Sequence, residues 1–201
     1  MSERREGEGS ELEEIVSRKL QADLQDLGQA IRVCRRCASG GRGVPGAGVL
    51  GADVLFLAGR PGPGAEPGNP WGAWWDRVRR RLEEEWGWRM EGVYLSTALR
   101  CHLKRITRLE LGRCAPFLAE ELLAVGPRLV VVSGRVAAVA LRLALGDEVP
   151  EEPRAGDTFS LYSMRFLFQL DVARVERERE AAEAFWRIMR GMEGMLTTGA
   201  G

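Results

Sequence analysis

Leu12, Val16, Leu20, Leu24, Leu27 and Ile31 recur at helical spacing and predict one amphipathic helix over about 11–32. Ser10 offers an N-cap with Glu13 three residues on, the pattern of a capping box. The helix delivers the chain to Cys34 and Cys37, and a Gly-rich loop follows over 38–52. Residues 53–57 then form an apolar run of strand length. Four Gly and three Pro fall between Gly59 and Gly68, which is loop composition. Residues 71–86 predict a helix, 93–99 a strand, and 114–125 a helix with Pro116 in its first turn, where proline is tolerated. Residues 128–133 are an uninterrupted apolar strand, and Gly134 turns the chain into a helix over about 135–145. An acidic, Pro-containing loop spans 146–157. A short strand over 158–162, a last strand over 165–170 and a terminal helix from Glu176 to Met195 complete the pattern.

Strands alternate with helices, and the strand runs are apolar on both faces. That pattern predicts an α/β chain, a three-layer α/β/α sandwich around a mostly parallel sheet. The length of 201 residues fits one domain over 10–196. Residues 1–9 read as a disordered acidic tail, and 197–201 as a flexible one. No apolar run approaches the roughly 20 residues of a membrane span, and the charged N-terminus has no apolar stretch behind it. A cytoplasmic protein without a membrane partner is expected.

Net charge is zero, but charge is unevenly distributed. Residues 1–14 hold six Glu against two Arg. Residues 98–114 hold Arg100, Lys104, Arg105, Arg108 and Arg113 against Glu110 alone. A local basic stretch is the footprint of a phosphate-binding surface. A solvated, ion-paired face is the competing reading.

The four cysteines fall into two pairs, Cys34-x2-Cys37 and Cys101 with Cys114. A cytosolic chain rarely keeps structural disulfides. Four thiolates can close a tetrahedral zinc site or hold a [4Fe–4S] cluster. A redox dithiol at Cys34/Cys37, or four unrelated buried thiols, would also account for them.

The order Cys34, Cys37, then Val93-Tyr94-Leu95-Ser96-Thr97-Ala98-Leu99-Arg100-Cys101, then Cys114 resembles the family-4 uracil-DNA glycosylases. So do Pro116–Leu122 and the stretch Gly126–Arg135, with its apolar strand and Gly-Arg turn. The resemblance spans roughly residues 30–190. It implies a four-stranded parallel sheet between helices, a structural [4Fe–4S] cluster on the four cysteines, and DNA, single- or double-stranded, as partner of a monomer.

The catalytic motifs depart from that family. Its Gly-Glu-(Ala/Gly)-Pro-Gly motif reads Gly59-Arg60-Pro61-Gly62 here, with Arg60 in place of the acid and Glu66 the only acid of the loop. The base-stacking aromatic corresponds to Trp71. The base-reading Asn corresponds to Thr97, whose hydroxyl cannot make the same bidentate pair. The histidine expected after the last strand corresponds to Asp171; the sole histidine, His102, lies beside Cys101. The resemblance therefore implies Asp171, Arg60 and Glu66 as catalytic candidates and Gly59, Trp71 and Thr97 as base-binding candidates, while the basic stretch offers Arg100, Lys104, Arg105 and Arg108 as DNA-phosphate contacts. Two activities remain open. The chain is either a DNA glycosylase with altered chemistry or base choice, or an inactive relative that binds DNA or a protein.

Overall fold

The computed structural model describes residues 3–37, 42–87 and 92–197. Six strands form one sheet in the order β1-β3-β2-β4-β6-β5. They are β1 (Ala47–Gly48), β2 (Val54–Ala58), β3 (Val93–Thr97), β4 (Leu129–Ser133), β5 (Thr158–Leu161) and β6 (Met164–Gln169). The four central strands β3, β2, β4 and β6 are parallel. The expected count of four is thus extended by two antiparallel edges, β1 on β3 and β5 on β6. The short β1 lies inside what reads as a Gly-rich loop, where two residues carry too little pattern to announce a strand.

Alternate strand residues point to opposite faces and so build two apolar layers. Leu55, Leu57, Val130, Val132, Phe166 and Phe168 pack under α3 (Arg108–Val125) and α4 (Gly134–Leu145). Phe56, Val131 and Leu167 face α2 (Ala73–Trp86) and α6 (Arg179–Arg190), through Trp74, Leu82, Phe185 and Met189. The three-layer sandwich read from the apolar runs is the observed one. The first helix, α1 (Glu3–Val33), packs outside α3 through Leu27, Ile31 and Phe117. Among the described residues no helix is long and apolar enough to cross a membrane.

Several boundaries differ from expectation for identifiable reasons. The backbone is helical from Glu3, so Ser10 lies inside α1 rather than capping it, and residues 3–9 continue the helix instead of forming a tail. The Glu and Arg residues of that stretch are good helix formers. Met1, Ser2 and the expected tail residues 198–201 lie outside the described residues. Helix α3 starts six residues early because Thr107 and Glu110 make a capping box. Pro116 therefore sits in the helix interior, where a proline leaves the carbonyl four residues back without its helical donor. The terminal helix is divided into α5 (Val172–Val175), α6 and α7 (Met192–Thr197). The β5–β6 hairpin turns through Tyr162 and Ser163, both at positive φ, the backbone of a two-residue primed turn without its usual Asn or Gly.

Candidate functional site

The strand register sets Thr97, Ala58, Ser133 and Gln169 side by side in one row across the sheet. This row is the C-terminal edge of the parallel strands, where open α/β sheets place their ligands. With strands about 4.8 Å apart, it extends roughly 14 Å. The chain leaves the row through Gly59, Gly134 and Asp171, so three of the candidate segments start from a common edge.

Thr97 is 0% exposed, and its Oγ1 is a buried side-chain atom without a hydrogen-bond partner. Main-chain bonds from Ala98 N to Ala58 O (2.8 Å) and from Leu99 N to Gly59 O (3.2 Å) continue the β2–β3 pairing beyond it. Gly59 is half-buried, and a Cβ there would come within 2.7 Å of Val136 Cβ on α4. Arg60 follows, exposed.

The loop from Pro61 to Gly72 folds onto itself. Gly62 N donates to Pro70 O (3.1 Å) and Ala73 N to Pro63 O (3.0 Å). Asn69 Oδ1 accepts from Gly72 N (2.9 Å), and Gly72 takes φ 52°, a left-handed value that suits glycine. Glu66 is exposed at the loop tip, bonded to Asn69 only through main-chain atoms. Trp71 is 0% exposed. Its Nε1 donates to Ser96 O (2.9 Å), and Phe56 and Trp75 pack against its ring at 5.8 and 6.4 Å. The expected stacking ring is thus enclosed, and in this arrangement it anchors the loop to β3.

Asp171 is exposed and caps α5, accepting from Ala173 N at 2.9 Å. Its approach is fixed by residues the sequence did not single out. Ser133 Oγ donates to Leu170 O (3.0 Å) and accepts from Val172 N (2.9 Å). Gln169 accepts from Leu170 N (2.8 Å) and donates to Phe185 O (3.0 Å). Gly134 has φ 82°, and a Cβ there would reach Asp171 Cβ at 2.7 Å. The first turn of α4 therefore lies between Gly59 on one side and Asp171 on the other. Beside it opens a cavity of about 410 Å³, lined among others by Gly134, Arg135, Glu152, Phe168, Asp171 and Arg174. That size suits a small organic group. Asp171 lines this cavity; Thr97, Gly59, Arg60, Glu66 and Trp71 do not.

The basic stretch divides. Lys104 and Arg105, on the connection from β3 to α3, and Arg108, the first residue of α3, are exposed. Arg100 is not a surface cation: it is 1% exposed and paired with Glu121, itself 1% exposed, at 2.8 Å. A guanidinium so enclosed has no phosphate within reach. The signal for this pair lay in α3, where Glu121 interrupts the apolar positions Phe117, Leu118, Leu122 and Val125, all buried.

Cys34, Cys37 and Cys101 are half-buried, Cys114 is buried, and none forms a disulfide. Burial raises the Cys101 thiol to about 11, and the charges of Cys114, Cys34 and Cys37 add to the rise against the pull of Arg35. The Cys114 thiol is also raised, by burial first, with Cys37 and Cys34 again contributing. The two pairs, far apart in the chain, thus share one electrostatic neighbourhood. Arg36 helps join their segments: it donates to Arg113 O (3.3 Å) and lies 4.6 Å over the Phe117 ring. The donor set, four thiols carried by three segments, fits a thiolate-bound centre in chemistry. Among the described residues, no group of three or more His, Cys, Asp or Glu has the arrangement of a metal site.

The sequence model of the Uracil DNA glycosylase superfamily matches residues 45–190. The Type-4 uracil-DNA glycosylase of Archaeoglobus fulgidus is 29% identical over 122 residues, 57% of this chain and 61% of that protein. The chain thus spans about three fifths of the length of this curated relative.

Proposed function

Because the chain belongs to the uracil-DNA glycosylase superfamily, we propose that it binds DNA and hydrolyses the N-glycosidic bond of a flipped, deaminated base such as uracil. The observation that carries this reading is the common strand edge from which Gly59, Thr97, Gly134 and Asp171 emerge. In the reaction the C1′–N bond breaks and its electron pair leaves with the base. Water forms the new C1′–O bond and gives up a proton. The Asp171 carboxylate orients that water and takes the proton. The Thr97 hydroxyl has no partner inside the protein but is fully buried in this arrangement, so it meets a polar atom on the base edge only when a flipped base enters at the C-terminal end of β3. Arg60 supplies positive charge as the base departs, and Trp71 holds the loop between them. Glu66 is the second acid available to water, from the loop tip. Lys104, Arg105 and Arg108 meet DNA phosphates.

We assign a [4Fe–4S] cluster to Cys34, Cys37, Cys101 and Cys114, with zinc as the alternative. The mutual influence of the four thiols supports this reading. The group would brace three chain segments and take no part in the hydrolysis. Absorbance near 400 nm, with iron and sulfide counts on anaerobically purified protein, tests it.

One observation favours binding without cleavage. Trp71 is enclosed and Asp171 already serves as a helix cap, so both are occupied as they stand. Single- and double-stranded DNA containing uracil, hypoxanthine or xanthine, followed by alkaline strand scission, separates the readings. Cleavage by the wild type that Asp171→Asn abolishes, with the cap still present, supports the glycosylase. Tight binding of every substrate without scission supports the binding protein.

A further inference from the structure

Arg100 makes contacts that DNA binding does not use. Its main-chain carbonyl accepts from Val44 N at 2.6 Å, on the segment that returns from Cys34 and Cys37. Its guanidinium meets Glu121 end-on, Nη2 to Oε2 at 2.8 Å and Nη1 to Oε1 at 3.3 Å, and Nη1 also reaches Ser96 Oγ at 3.2 Å. Glu121 lies seven residues after Cys114, two turns along the same face of α3. The carboxylate also accepts from Tyr94 Oη (3.1 Å) and Ser96 Oγ. Gly46 closes the arrangement, since a Cβ there would collide with Glu121 Oε1 and lie 2.7 Å from Tyr94 Oη. Cys101 is the next residue in the chain.

We infer that Arg100 is a positioning residue that sets the spacing of the four cysteines. It ties together the segment after Cys37, the turn after β3 that carries Cys101, and the face of α3 that carries Cys114. The side chain supplies fork geometry as well as charge. Lysine keeps the charge but cannot engage both carboxylate oxygens and Ser96 in one plane.

The inference rests on the reading that the cysteines hold a common centre, and its test separates the two. The full-length protein and its Arg100→Lys and Glu121→Gln variants are purified anaerobically. Iron, zinc and sulfide per chain are measured, with the rate at which absorbance near 400 nm decays in a chelator. Circular dichroism reports the fold. The expected result is folded variants that lose the metal about tenfold to a hundredfold faster, the size of effect that removing a ligand's outer partner has on metal sites. Folded variants with wild-type content and decay overturn the inference. If the wild type carries no metal, the shared-centre reading fails, and dibromobimane crosslinking of Cys101 to Cys114 then tests the spacing directly. Reduced crosslinking in Arg100→Lys supports the clamp, and equal crosslinking overturns it. If the single variants do not fold, the double variant Arg100→Met/Glu121→Met removes the charges while keeping apolar volume, and the same measurements decide.

Discussion

Thr97 shows how one side chain separates stability from function. Its hydroxyl is fully buried and unbonded within the protein, so it brings the fold only a desolvation cost. Thr97→Val keeps the shape and removes that cost. Stability in chemical denaturation is expected to be unchanged or higher by about 1 kcal/mol. If the hydroxyl reads a base, the same variant loses affinity for base-containing DNA without losing fold. Reduced stability would instead show that Oγ1 is bonded within the protein. Asp171 and Arg60 could be picked out in the sequence because each stands at a motif position with an unexpected charge. Glu121 could be noticed as a charge among the apolar positions of α3, but nothing local names its partner, which lies 21 residues away.

At the scale of the element, caps and turns decided what periodicity left open. Thr107 and Glu110 start α3 six residues before its apolar pattern becomes obvious. The Glu110 carboxylate accepts from Thr107 N at 3.1 Å and from the Thr107 hydroxyl. That hydroxyl, first among the causes, holds the Glu110 carboxyl below its ordinary pKa. A carboxyl depressed in the folded state stabilises above its unfolded pKa, and the contribution disappears as pH falls through the lower folded value. Thr107→Ala is expected to lower Tm at neutral pH by roughly 2–4 °C for a domain of this size. The difference from wild type should shrink as pH falls below about 4. A gap that stays constant down to pH 2 would place the effect elsewhere than in the cap. The β5–β6 turn was illegible for a different reason: Tyr162 and Ser163 carry no local preference for positive φ, and strand pairing imposes it.

For the whole molecule, charge distribution outweighs net charge. The overall sum is zero, yet Lys104, Arg105 and Arg108 are exposed together between the end of β3 and the first turn of α3. If they meet phosphates, Arg105→Ala with Arg108→Ala should flatten the slope of log affinity against log salt by about 1.8 on duplex DNA. An unchanged slope assigns DNA to another face. The apolar runs by themselves determined the α/β sandwich and its parallel centre, because a strand buried on both faces has no other composition open to it. The cysteine frame was equally plain, since residue type and spacing state ligand chemistry without a fold. Only the tertiary structure decided which charges are available. Arg100 and Arg105 are alike in sequence, but one is sealed against Glu121 and the other faces water, because burial depends on contacts between residues far apart in the chain.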